Sequence, residues 1–145
     1  MQKKEEILES FKIAIKSTIK SISNKDDIEI SFGGQDVSSE GDKLRLPEIN
    51  EFQNRINFDL TRAQADSESL RLRYCNKKVL KNFEPAGSKA KKLYEIAEKI
   101  RYESLGTQEY KGTSIFIDNK CLPGNRKSME RLVEKAKKRG SIFYN

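Results

Sequence analysis

A chain of 145 residues without a single histidine excludes Ser/His and Cys/His catalysis, histidine-ligated zinc and an imidazole base working near pH 7. The apolar and charged fractions are equal at 35% each, lean for a tightly packed globule, so one modest core with much solvated helix surface is expected. A net charge of +7, from 29 Lys/Arg against 22 Asp/Glu, admits a nucleic-acid partner, yet the signs alternate in stretches such as "KAKKLYEIAEKIRYE", as on a solvated helix face.

Residues 3–22 repeat apolar side chains with helical spacing. Leu8, Phe11, Ile15, Thr18/Ile19 and Ile22 make one face, and lysines and glutamates take the rest. "SNKDD" stops this helix. "DIEISFGG" alternates Ile28, Ile30 and Phe32 with polar neighbours, and "DKLRLP" does the same with Leu44 and Leu46 before Pro47. With the polar loop "GGQDVSSEG" between them, the two runs predict a small β-hairpin near residues 28–46 that must lie on helices.

From Pro47 to about Lys78 the signal is mostly helical: Ile49, Phe52 and Ile56, then Leu60, Ala63 and Ser67. "SLRLRYC" alternates Leu70, Leu72 and Tyr74 with arginines at period two, which suits a strand. Helix is favoured there, because good helix formers dominate and no breaker precedes Asn76. "NFEPAGS" is a loop whose Ser88 can cap the next helix, residues 88–105. The predicted inward stripe of that helix is Ala90, Leu93/Tyr94, Ala97, Ile100/Arg101 and Ser104/Leu105, with Gly106 at the C′ position. A short apolar run, Ile115 to Ile117, follows. A last helix begins near Asn125 with Met129, Leu132, Val133 and Ala136 inward. The expected class is mainly α (α+β), about four helices with one small β-hairpin, in a single domain spanning 1–145. The uncovered apolar residues of "RGSIFYN" suggest a piece of something longer.

Little in this chain carries chemistry. Gly33-Gly34 is followed neither by Lys-Ser/Thr nor by a helix, so a hairpin turn is favoured over a phosphate loop. Asp26, Asp27, Asp36 and Asp42 lack the alternation and closing glutamate of a calcium loop and read as turn acids. Cys75 and Cys121 lie 46 positions apart and are expected to be free thiols, with no metal site. No apolar run reaches the length of a membrane span, and the start carries no signal-like apolar region, so a cytoplasmic location is expected. "EKAKKRG" is the one local basic cluster singled out. No aromatics interleave with it, which makes nucleic-acid binding the minority reading. Arg62/Asp66, Glu68/Arg71 and Glu98/Arg101 stand at i, i+4 or i, i+3. By spacing alone they are surface ion pairs worth a few tenths of a kcal/mol.

The order of these segments carries a resemblance. "RAQADSESLRLRYCN", a Pro-containing loop, "AKKLYEIAEKIRYESLG" and then "YKG" resemble the N-terminal region of CobT, a subunit of the aerobic, ATP-dependent cobaltochelatase. Arg62, Ala65, Asp66, Leu70, Arg71, Leu72 and Arg73 follow that family's Arg-Gly-x-Ala-Asp-x-x-Ala-Leu-Arg-Leu-Arg. Glu98, Arg101, Glu103, Leu105 and Gly106 follow its Glu-x-x-Arg-x-Glu-x-Leu-Gly. "FKIAIKSTIKSIS", "IEISFGG" and Leu46-Pro47 fit the family's opening helix, strand and Leu-Pro. The chain departs from the family at Tyr74, Cys75 and Asn76, where two histidines and an acid are usual, and the family's acidic linker and von Willebrand A-like domain are absent from these residues.

The resemblance implies an N-terminal domain of a cobalamin-biosynthesis ligase subunit. Its implied partners are an AAA+ ATPase subunit and a large chelatase subunit, and the complex uses ATP, Mg²⁺ and Co²⁺ to metallate hydrogenobyrinic acid a,c-diamide. No catalytic, cofactor or metal site is expected in this chain itself. The alternatives are an accessory protein of another MoxR-type AAA+ ATPase and a basic nucleic-acid-binding module. Arg62, Asp66, Arg71 and Arg73 are expected to be partly buried and to pair with Glu98, Arg101 or Glu103 across a helix–helix contact. With Gly106, these residues are the candidates for a structural or partner-docking role.

Overall fold

A computed structural model describes residues 2–49 and 55–116. Its elements are α1 (Gln2–Ser23), β1 (Glu29–Phe32), β2 (Ser38–Glu40), β3 (Lys43–Leu46), α2 (Arg55–Tyr74), α3 (Lys77–Asn82), α4 (Ser88–Glu109) and α5 (Lys111–Phe116). The fold is mainly α with a small sheet, the class read from the sequence. Cys121, the "EKAKKRG" cluster and the helix predicted near Asn125 lie outside the described residues.

α1 buries Ile15, Ile19 and Ile22 on the predicted stripe, with Leu8 and Phe11 partly covered. It ends at Asn24, whose φ of 55° lies in the left-handed region that asparagine tolerates. Among the described residues, no helix is long and apolar enough to cross a membrane.

The sheet corrects the predicted hairpin. β1 and β3, the two runs recognised by alternation, pair in parallel, with Ile30 opposite Leu44 and Phe32 opposite Leu46. The antiparallel hairpin is instead β2–β3, turning at Gly41 with φ of 58°. β3 is therefore central, in the order β1-β3-β2. Alternation says which face a side chain takes and is silent about strand direction. β2 reads "SSE", offers no apolar alternation, and so looked like loop.

α2 is the hub, packing against α1, β3, α4 and α5. Its period-two Leu/Arg stretch is helical for a physical reason. Leu70 and Leu72 sit about 200° apart around a helix, and both are buried, in different cores. Leu72 joins Ile15, Ile19, Leu44 and Leu46 on one side. Leu70 joins Ile22 and Tyr102 on the other. A helix buried on two sides shows no single stripe.

α4 also departs from expectation. Ala90, Leu93, Ala97, Ser104 and Leu105 are exposed, whereas Tyr102, Glu103 and Gly106 are buried. The helix runs through Gly106 to Glu109, so this glycine is no C′ residue. Its role is proximity: a Cβ built there would overlap the side chain of Leu70 on α2. The N-cap is Gly87 rather than Ser88, with φ of 96° and no side-chain cap hydrogen bond.

Candidate functional site: the α2–α4 seam

Two of the three arginines of "RAQADSESLRLRYCN", Arg62 and Arg71, pair within their own helix. Arg62 Nε donates to both carboxylate oxygens of Asp66, at 2.9 and 3.0 Å. Asp66 is fully buried. Its burial pushes the carboxyl above the usual range, and the Arg62 guanidinium opposes that push. Arg71 donates to Glu68 with Nε at 2.8 Å, and its Nη2 lies 2.7 Å from the same oxygen. Side chains at i, i+3 and i, i+4 reach each other without help from tertiary structure, which is why these pairs form.

The contacts between helices use the third arginine, Arg73, and residues outside these pairs. Ser67 Oγ donates to Glu103 Oε1 at 2.5 Å in the buried seam, with Lys99 Nζ 3.8 Å from the same oxygen. Arg73 donates to Glu109 Oε1 at 3.1 Å and to the Ile22 carbonyl at 3.3 Å, with its guanidinium 5.7 Å from the ring centres of Tyr74 and Tyr110. Tyr74 donates its hydroxyl to Glu109. Arg101 holds Glu98 through Nε at 3.0 Å and reaches across with Nη2 to the Tyr74 carbonyl, also at 3.0 Å. A cation on a carbonyl at the end of a helix satisfies an acceptor the helix leaves open and suits its negative pole. Tyr74 thus grips α4 at two points, Arg101 and Glu109, about 12 Å apart along that helix.

The expected pairing of Asp66, Arg71 and Arg73 with Glu98, Arg101 or Glu103 is therefore corrected. Among the contacts seen, Asp66 and Arg71 bond within α2, Arg73 reaches Glu109, and Glu103 is met by Ser67. Arg73 is also exposed as a residue rather than partly buried. Sequence reasoning missed Ser67, Tyr74 and Glu109 as seam residues. One signal was present: Ser67 and Glu103 each stand three positions before a member of the Leu70–Gly106 contact.

Chemically the seam is a clamp. Burial and then the nearby Glu98 push the Cys75 thiol up, which holds it protonated and unsuited to nucleophilic attack. Asn76 spends its side chain capping α3, accepting from the Lys78 and Val79 amides. Among the described residues, no three His, Cys, Asp or Glu side chains gather as metal ligands. Beside the clamp, α3 and α4 enclose a groove of about 540 Å³ with Cys75, Leu80, Tyr94 and Tyr102 in its wall.

The clamp has a titration signature. The hydrogen bond from Tyr74, and next the charge of Arg73, hold Glu109 below the usual glutamate range. A depressed carboxylate stabilises the fold above its unfolded pKa, and that contribution is lost as pH falls through the folded pKa. Tyr74→Phe is expected to move the Glu109 midpoint upward in a carboxyl-carbon NMR titration, towards the ordinary value. An unchanged midpoint would show that Tyr74 does not set it.

Compared with known families, the chain matches the model described as cobalamin biosynthesis protein CobT over residues 5–142. No solved structure matches it.

Proposed function

Because the chain belongs to the CobT family of cobalamin biosynthesis proteins, we propose that it is an assembly domain of the ATP-dependent cobaltochelatase rather than a catalyst. In this reading it is the N-terminal domain of the subunit. It acts in the cytoplasm, binding the AAA+ ATPase subunit or the large chelatase subunit, while the tetrapyrrole, Co²⁺ and ATP are handled by those partners. One observation carries the reading. Several motif residues help fasten α2 to α4: Arg101 lies on the Tyr74 carbonyl, Glu103 accepts from Ser67, and Gly106 packs against Leu70. Charged side chains spent on internal clamping do not converge on a reacting atom, whereas a rigid clamped unit is what a docking domain requires.

The test is co-purification. The tagged chain, mixed with each purified partner subunit, is expected to retain at least one of them, and alone to insert no cobalt in the presence of ATP. Retention of neither partner by this chain, where a longer protein succeeds, would remove the assembly role from this domain. Cobalt insertion by the chain alone would overturn its non-catalytic character.

A further inference from the structure

Among the described residues, one run is strongly basic. Residues 77–92, "KKVLKNFEPAGSKAKK", hold six lysines and one acid, a net +5. They form α3, the following turn and the first turn of α4, one wall and the rim of the groove beside the clamp. Glu84 is paired with Lys91, and Glu98 with Arg101. Lys77 and Lys81, both lining the groove, make no ion pair among the described residues, and neither do Lys78, Lys89 and Lys92 nearby. Inside the groove the surface is mostly apolar, from Leu80, Tyr94 and Tyr102. The same unit exposes Phe83 at 73% and Val79 at 48%.

We infer that this groove is the docking site for an acidic segment of a partner protein, one that presents an apolar anchor side chain between carboxylates. Charge complementarity selects the acids, and the recessed apolar surface selects the anchor. A nucleic acid would meet the groove's three glutamates with its phosphates and would find no row of aromatic rings for its bases. A membrane surface would leave a recessed floor uncovered. This inference deepens the assembly role proposed above and rests on it.

The probe is a fluorescent synthetic peptide with Leu and Phe at helical spacing among glutamates, titrated against the full chain. Binding is expected to weaken as salt rises. It is expected to fall about tenfold when the anchors become serine, and again when Lys77→Glu and Lys81→Glu are combined. The pair Lys3→Glu and Lys4→Glu, an equal charge change on α1, is expected to leave binding intact. Circular dichroism checks that each variant folds. Equal binding of the serine peptide, or no loss in the Lys77/Lys81 double variant, overturns the inference. So does stronger binding of a DNA duplex or of phosphatidylserine vesicles through the same lysines. Partner retention separates the two readings. If the wild type and the double variant hold a chelatase subunit equally, the groove inference fails and the assembly role stands. If the wild type holds no subunit yet binds the peptide as expected, the assembly role fails and the groove remains.

Discussion

Gly106→Val is expected to unfold the seam between α2 and α4. The glycine is buried in the last turn of α4, and its missing Cβ is the space occupied by Leu70, itself fully buried. Forcing extra carbons into a packed contact costs about 1–3 kcal/mol and sometimes more. Gly106→Ala sets a gain in helix propensity of about 1 kcal/mol against the same overlap, so it is expected to destabilise less than valine does. Leu70→Ala alone is expected to cost about 2–5 kcal/mol through the cavity it leaves. Combined with Gly106→Ala it is expected to cost less than the sum, because the added methyl enters that cavity. Urea unfolding of the four proteins completes the cycle. Strict additivity would show that the two residues do not share the space.

Arg62→Ala is expected to be the most costly charge deletion. It leaves the fully buried Asp66 carboxylate without the guanidinium that now holds both of its oxygens. Breaking a buried pair from one side costs about 3–5 kcal/mol. Arg62 is 29% exposed, which puts the expected loss near the lower end, about 3 kcal/mol. The sign of its pH dependence follows from the raised pKa of Asp66. The folded state holds that proton at a pH where the unfolded chain has released it, so this group favours folding most in acid and least above its folded pKa. Removing Arg62 raises the pKa further. The loss should therefore be larger at pH 7 than near pH 4, and Asp66→Asn in the Arg62→Ala background should recover much of it at pH 7. A loss independent of pH, or no rescue, would mean that Arg62 acts mainly through its packing.

What could be read from sequence tracks how many sides of each element are buried. α1 is buried on one side only, and its stripe from Leu8 to Ile22 was legible in full. α2 is buried on two sides, so its apolar residues scattered into an apparent period of two; helix propensity was the better guide there. α4 turns a partly polar face inward, with Glu103 and Gly106 buried and Leu93 and Leu105 outside, and a search for apolar stripes selects the wrong side of such a helix. The order of motif residues was legible, but their partners were not, since spacing reports neighbours on one helix and says nothing of what crosses from another. The basic run at 77–92 does not stand out in the sequence, because it merges into the alternating charges that follow it.

α3 has no buried residue. The Asn76 cap and the hydrogen bond from the Tyr94 hydroxyl to the Leu80 carbonyl, at 3.3 Å, are what tie it down. α2, by contrast, lies between two cores. The free energy of local opening is therefore distributed unevenly: the six residues of α3 can detach and reclose at low cost while the clamped helices stay folded. One wall of the groove is thus its least stable part and the opposite wall is anchored to the core, so a segment entering it adjusts the width of the groove without disturbing the domain that carries it.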